Sequence, residues 1–184
     1  MLGKGAVGKT SLIVRYVKNK FTKDHDPTVE DTYKVNITSK TGEKIEFQIL
    51  DTAGEEDYQD MLDKWLSQAS GFILVFAIND LESFNSLKLL LQRIKKNEAE
   101  NLPFIVVGNK CDLDVNRKVT VQQGGEFAKL LKTKYIETSA LTDNNGNVKL
   151  AFEECAHLIL NKSSGKGEKE GDGSCSSCSS CFIV

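Results

Sequence analysis

At 184 residues, with 40% hydrophobic and 27% charged side chains, the chain is long enough for one core and gives no reason to expect two. Its net charge of -2 excludes a global basic field of the kind that holds a nucleic-acid backbone, so nucleic acid is not an expected partner. Five cysteines, an odd count with Cys175, Cys178 and Cys181 crowded near the end, argue against a secreted disulfide framework, and the apolar run at residues 71–78 is too short to cross a bilayer and lacks signal-peptide flanks.

The first element opens on GKGAVGKT, residues 3–10, which fits the spacing G-x-x-x-x-G-K-[ST]. In such a loop, backbone N–H groups surround phosphates, Lys9 neutralises the terminal ones and the Thr10 hydroxyl can ligate Mg2+. The site then comprises Gly3, Gly5, Ala6, Val7, Gly8, Lys9, Thr10 and Ser11. A glycine-rich turn capping an ordinary helix is the plainer alternative, and it leaves Lys9 idle. From residue 8 to residue 20, Leu12, Ile13, Tyr16 and Val17 fall on one helical face. Only Met1 and Leu2 precede Gly3, whereas a phosphate loop leaves a buried strand of about five to six residues. The expectation is a truncated first strand, an incomplete amino terminus and a groove of unpaired backbone groups in the sheet.

Val35 and Ile37, then Ile45, Phe47 and Ile49, alternate with polar residues on either side of turn chemistry at residues 39–42, which predicts an antiparallel hairpin. The continuous apolar runs GFILVFAI and PFIVVGN read as strands buried on both faces of a parallel sheet. Between them Phe84, Leu87, Leu91 and Ile94 repeat at helical spacing. A helix over residues 121–131 is weakened by Gly124 and Gly125, a short strand follows at residues 135–137, and a last helix carries Val148, Phe152, Cys155 and Ile159 on one face. Alternating strands and helices predict a three-layer α/β fold with a mostly parallel sheet and one antiparallel hairpin strand. From residue 162 the composition turns to Gly, Ser, Lys and Glu, so residues 1–161 are expected to form the domain and residues 162–184 a disordered tail.

The tetrapeptide NKCD, residues 109–112, follows the strand ending near Val107 and so lies at the carboxyl edge, where open α/β sheets bind ligands. A carboxylate there can accept from both N1–H and the 2-amino group of guanine, a pair that adenine lacks. With these residues in place, the chain resembles a Ras-type small GTPase, with five motifs in the expected order: GKGAVGKT, DPTVEDTY, DTAGEE, NKCD and ETSA.

The resemblance implies a P-loop NTPase fold, Mg2+, GTP or GDP as ligand, and GTP hydrolysis. Phe21 matches the aromatic against the guanine, the alternative being a core Phe. Thr28, after Pro27, matches the threonine that reaches Mg2+ when a γ-phosphate is present. Asp51 matches the acid that holds Mg2+ through water, so the implied metal set is Thr10, Thr28 and Asp51. The Gly54 N–H matches a γ-phosphate donor. Asn109 and Asp112 match the base readers, Lys110 the stem covering the base, and Ser139, Ala140 and Leu141 the loop closing over it. His25, Asp26, Pro27, Thr28, Val29, Glu30, Asp31, Thr32 and Tyr33 match the segment offered to effectors. Lys9, Thr28, Gly54 and Glu55 are the expected catalytic set. A GTPase-activating protein and an exchange factor are implied partners of an expected monomer.

Glu55 departs from the family's DTAGQ pattern. Glutamine both accepts from the attacking water and donates to developing charge, whereas an ionised carboxylate only accepts. Leu141 replaces a usual Lys and His25 a common tyrosine. At the end, Cys181 opens a C-a-a-X prenylation signal whose terminal Val184 is not among the usual last residues. One lipid anchors marginally, and Cys178 and Cys175 are the candidate second, palmitoylated sites. A zinc site from the three thiols is the alternative, and it lacks a nearby fourth ligand. The expected protein is a GTP switch on the cytoplasmic face of a membrane, the plasma membrane foremost. Its rivals are a GTP-binding module that hardly hydrolyses, a P-loop ATPase or kinase, and a truncated inactive form.

Overall fold

The computed structural model describes residues 1–21, 30–39, 42–52, 61–96, 99–142, 146–164 and 181–184. The elements run α1 (Lys9–Lys18), β1 (Glu30–Thr38), β2 (Lys44–Thr52), α2 (Leu62–Gln68), β3 (Phe72–Ala77), α3 (Leu81–Lys96), β4 (Phe104–Asn109), α4 (Val121–Leu130), β5 (Tyr135–Glu137), α5 (Asn147–Ser164) and β6 (Cys181–Ile183). β1 and β2 pair antiparallel as the alternation requires, with Val35 opposite Phe47 and Ile37 opposite Ile45. β3, β4 and β5 pair in parallel.

Period-two alternation sorts each buried strand between two layers of helices. In β3, Ile73, Val75 and Ala77 join the core formed with α1 and α5, while Phe72, Leu74 and Phe76 join the one formed with α2, α3 and α4. The helices match their patterns: Leu12 and Ile13 from α1 are buried, as are Val148, Phe152, Cys155 and Ile159 from α5. Val17 departs from the expected face and is 38% exposed. Gly124 does more than weaken α4, because a Cβ there would lie 2.4 Å from the Tyr135 ring, so the glycine lets the helix approach β5. Thr120 caps α4 through a reciprocal capping box with Gln123.

Two expectations need correction. The groove expected between β2 and β3 is filled from both ends of the chain. Met1 and Leu2 occupy one part, with the Leu2 N–H donating to Ile73 O at 2.9 Å and Val75 N–H donating to Leu2 O at 2.8 Å. β6 occupies the other, parallel to β2, with Phe47 opposite Cys181 and Ile49 opposite Ile183. The tail expected from residue 162 therefore has regular structure at both ends, since α5 continues to Ser164 and residues 181–183 form a strand. Residues 165–180, with Cys175 and Cys178, lie outside the described residues. Among the described residues no helix is long and apolar enough to cross a membrane.

Candidate functional site

The loop at residues 3–10 joins Leu2, in the sheet, to α1. Its backbone passes through left-handed conformations at Ala6 (φ 60°) and Gly8 (φ 93°), which turn the chain sharply before the helix begins. Gly8 offers α1 no side chain as a cap, and no acidic residue lies in the first turn. That combination leaves the positive end of the helix dipole directed at whatever sits in the loop, the arrangement used to hold anions. Lys9 is buried at 6% exposure, and its ammonium donates to Gly3 O at 2.8 Å and Lys4 O at 3.0 Å. The cation is thus folded back over the loop's concave side.

The NKCD segment is hydrogen-bonded to this loop. Asn109 Nδ2 donates to Val7 O at 2.8 Å, and Lys110 Nζ donates to Ala6 O at 2.7 Å. Lys110 itself is left-handed (φ 64°). Asp112 Oδ1 accepts from Ser139 Oγ, and the same hydroxyl accepts from the Thr142 N–H at 3.1 Å. Three segments far apart in sequence, after β4, after β5 and before α1, therefore converge at one end of the parallel strands. Ala140 is buried beside them and Leu141 is exposed. Phe21 is half-buried and packs against the core shared by α1 and α5.

Gly8 shows how closely these pieces fit. A Cβ on Gly8 would lie 2.5 Å from Asn109 Nδ2. Gly8→Ala is expected to displace the Asn109 amide from Val7 and to strain a left-handed residue, together about 2 to 3 kcal/mol. The purified variant should melt several degrees lower, read by scanning calorimetry.

Asp51, next to last in β2, is fully buried, and neither of its carboxylate oxygens has a hydrogen-bond partner among the described residues. Burial raises its pKa from the usual carboxylate value, an effect opposed by the Thr10 hydroxyl, the Met1 ammonium and Lys9. A buried carboxylate with open lone pairs beside a loop hydroxyl fits a hard cation. Among the described residues there is no cluster of three or more His, Cys, Asp or Glu placed to hold a metal ion.

Several contacts that support the site carry no sequence signal of their own. Arg15 on α1 donates through Nε to Ala140 O at 2.7 Å and through Nη2 to Leu141 O at 2.9 Å, holding the last loop in place. Arg117 makes a two-pronged pair with Glu137, at 2.7 and 2.9 Å. Thr138 Oγ1 donates to Asn109 Oδ1 at 3.2 Å, fixing the amide so that its NH2 faces the loop. Each is a polar residue indistinguishable in sequence from a solvated one.

Other expected residues are placed differently or not at all. Glu30, read as an effector-facing acid, accepts a hydrogen bond from the buried Trp65 indole at 2.9 Å, which ties β1 to α2. Asp31 and Thr32 are exposed on β1 and Tyr33 is half-buried. Ser11 lies in the first turn of α1. His25, Asp26, Pro27, Thr28, Val29, Gly54 and Glu55 lie outside the described residues.

The profile of the Ras family matches residues 1–161. The chain is 40% identical to Protein ras-1 of Neurospora crassa over 172 residues, covering 93% of this chain and 79% of that protein. It is 39% identical to Ras-like protein rasS of Dictyostelium discoideum over 141 residues, covering 76% and 72% respectively.

Proposed function

The chain belongs to the Ras family, and from that premise we propose that it is a membrane-tethered switch that presents residues 25–33 to effectors while GTP is bound. It is a GTPase, converting GTP to GDP and phosphate. What supports the guanine-nucleotide part of this reading is that Asn109 and Lys110, read as base readers, hydrogen-bond the loop read as the phosphate cradle, with Ser139 bonded to Asp112 beside them.

The division of labour follows from the donors present. Backbone N–H groups at the start of α1 and the Lys9 ammonium, which is held against Gly3 O and Lys4 O, compensate phosphate charge. Thr10 and Asp51, with Thr28, would hold Mg2+, which when bound neutralises charge on the phosphate oxygens. Asp112 accepts from the guanine edge while Ser139 holds its other bonds in register. In this reading Glu55 accepts a hydrogen bond from the attacking water but supplies no donor to the charge that develops, so intrinsic turnover is slow. An added Cβ at Gly5 would meet nothing within 4 Å, and that open side of the loop is where an arginine from an activating protein would enter. Thr28 and the Gly54 N–H both lose their partner when the γ-phosphate leaves, which releases the segments on either side of β1 and β2.

Membrane attachment through Cys181, supported by Cys178 or Cys175, completes the proposal, with the cytoplasmic face of the plasma membrane as the site of action. The test incubates the purified chain with γ-labelled GTP and Mg2+, following retained nucleotide and released phosphate together. We expect retention that excess GTP competes and excess ATP does not, loss of retention on adding EDTA, and slow phosphate release, on the order of 10⁻⁴ per second. Equal competition by ATP would overturn the guanine assignment. Retention without release would leave a binding module that turns over only with a partner.

A further inference from the structure

A cavity of about 490 Å³ lies at the end of the parallel strands opposite the phosphate loop, between the start of β4, the turn leading from α4 into β5, and the last turns of α5. The nucleotide loops use the carboxyl ends of the same strands, so the two places share no residue. The floor of the cavity is apolar, formed by Leu102, Pro103, Phe104 and Leu158, all half-buried. Phe104 stacks on the fully buried Phe72 with ring centroids 4.9 Å apart, and Leu158 packs against the core shared by α1 and α5. Packing beneath the floor therefore fixes its shape without a ligand.

The rim is cationic. Lys132, Lys134 and Lys162 line it, and among the described residues no carboxylate does. All three lysines are exposed, which lets their apolar stems lie along the floor while the ammonium groups stay at the water. Lys134 spends its charge locally, on Glu154 of α5. Lys132 is more informative, because its backbone is left-handed (φ 55°) in the turn after α4, where its N–H donates to Lys129 O at 3.1 Å. That conformation favours glycine, and stopping a helix needs no charge. A strained backbone that carries a cation to the rim of a cavity points to a use for the cation.

We propose that this cavity binds a single anionic amphiphile, a carboxylate or phosphate on one hydrocarbon chain, with the chain laid on the apolar floor and the head held by the lysines. Size, charge and shape choose this occupant together. The volume falls within the range of small-molecule sites, roughly 300 to 1,000 Å³. An inorganic anion would leave the floor bare, and a neutral apolar molecule would leave the lysines without a partner for their charge. A bilayer presents a flat array of headgroups, whereas this floor is concave and less exposed than the lysines around it. The site goes beyond the nucleotide switch and does not depend on it.

The experiment follows the amide resonances of the full chain while dodecyl phosphate is added below its micelle concentration. We expect saturable shifts confined to residues 101–104, 132–134 and 158–162, with a Kd on the order of 100 µM. Inorganic phosphate and dodecyltrimethylammonium should each bind at least ~10-fold more weakly, since one lacks the chain and the other the charge. Lys132→Gly should weaken dodecyl phosphate at least ~5-fold without lowering the melting temperature, because it removes the cation and relieves the left-handed backbone in one change. Lys88→Gln, on α3 and away from the cavity, should leave the affinity as it is. Parent-like affinity in the Lys132→Gly protein, shifts that do not saturate, or equal binding of the cationic amphiphile would overturn the proposal. So would vesicles of phosphatidylcholine and phosphatidylserine that perturb these resonances where free dodecyl phosphate does not, since the face would then meet a bilayer and not a single molecule.

Discussion

Asp112→Asn is expected to lose GTP binding by at least ~10³-fold and to gain affinity for xanthosine triphosphate, with ATP still rejected. The carboxylate can only accept, and guanine presents two donors on one edge, N1–H and the 2-amino group. Asparagine turns one of the two acceptors into an NH2, which meets a donor and leaves a buried pair unsatisfied. Xanthine carries a carbonyl where guanine carries the amino group, so the same NH2 finds an acceptor there. Ser139 sharpens the effect, because its hydroxyl bonds Asp112 Oδ1 and orients the group before the base arrives. Ser139→Ala should cost only about 1 kcal/mol, roughly a fivefold loss, without changing which base is preferred. Competition binding with GTP, xanthosine triphosphate and ATP on the two purified variants reads all of this. Unchanged GTP affinity in the Asp112→Asn protein would remove the residue from base recognition.

The contrast between these two residues reflects what the sequence makes visible. The strands of the parallel sheet were legible because burial on both faces demands unbroken apolar runs, and the hairpin because burial on one face demands alternation. The loop at residues 3–10 and the NKCD segment were legible because glycine, lysine and carboxylate at fixed spacing have few structural uses. Arg15, Arg117 and Thr138 were not legible, since their partners are backbone carbonyls, a carboxylate and an amide brought near only by the fold. α2 escaped notice because seven residues, LDKWLSQ, are too few to establish a period. Its Trp65 nonetheless reaches Glu30, so an acid that the resemblance assigned to the effector segment also has an internal partner.

β6 escaped for a different reason. Residues 181–184 carry two meanings at once: a cysteine followed by apolar residues is a lipidation signal, and three consecutive apolar residues are also a strand able to satisfy an open pair of sheet edges. Local sequence cannot rank these, because the choice depends on whether an unpaired slot exists elsewhere in the chain. The expectation of an open groove beside β2 failed because residues 181–183 pair with β2 there, while residues 165–180 lie outside the described residues.

The second large effect is expected at Lys9. Lys9 is buried, and its ammonium donates to two carbonyls, Gly3 O and Lys4 O. A buried cation held by carbonyl oxygens is costly to desolvate, and an arriving phosphate relieves that cost by offering ionised acceptors where the carbonyls are neutral. Lys9→Met keeps the length and apolar stem but removes the charge. Nucleotide affinity should fall by ~10²- to 10³-fold, corresponding to the loss of one or two charge-assisted bonds at about 1.5 to 3 kcal/mol each. The nucleotide-free protein, by contrast, should melt within a few degrees of the parent, because the penalty of the buried charge disappears together with its two bonds. Lys9→Arg is expected to fail as well, since a planar guanidinium cannot occupy the loop's compact interior as a point charge does. Melting curves of the nucleotide-free and GTP-bound forms of each variant separate these terms. A parent-like shift on adding GTP to the Lys9→Met protein would mean that the helix terminus and backbone N–H groups suffice, and that Lys9 serves only to shape the loop.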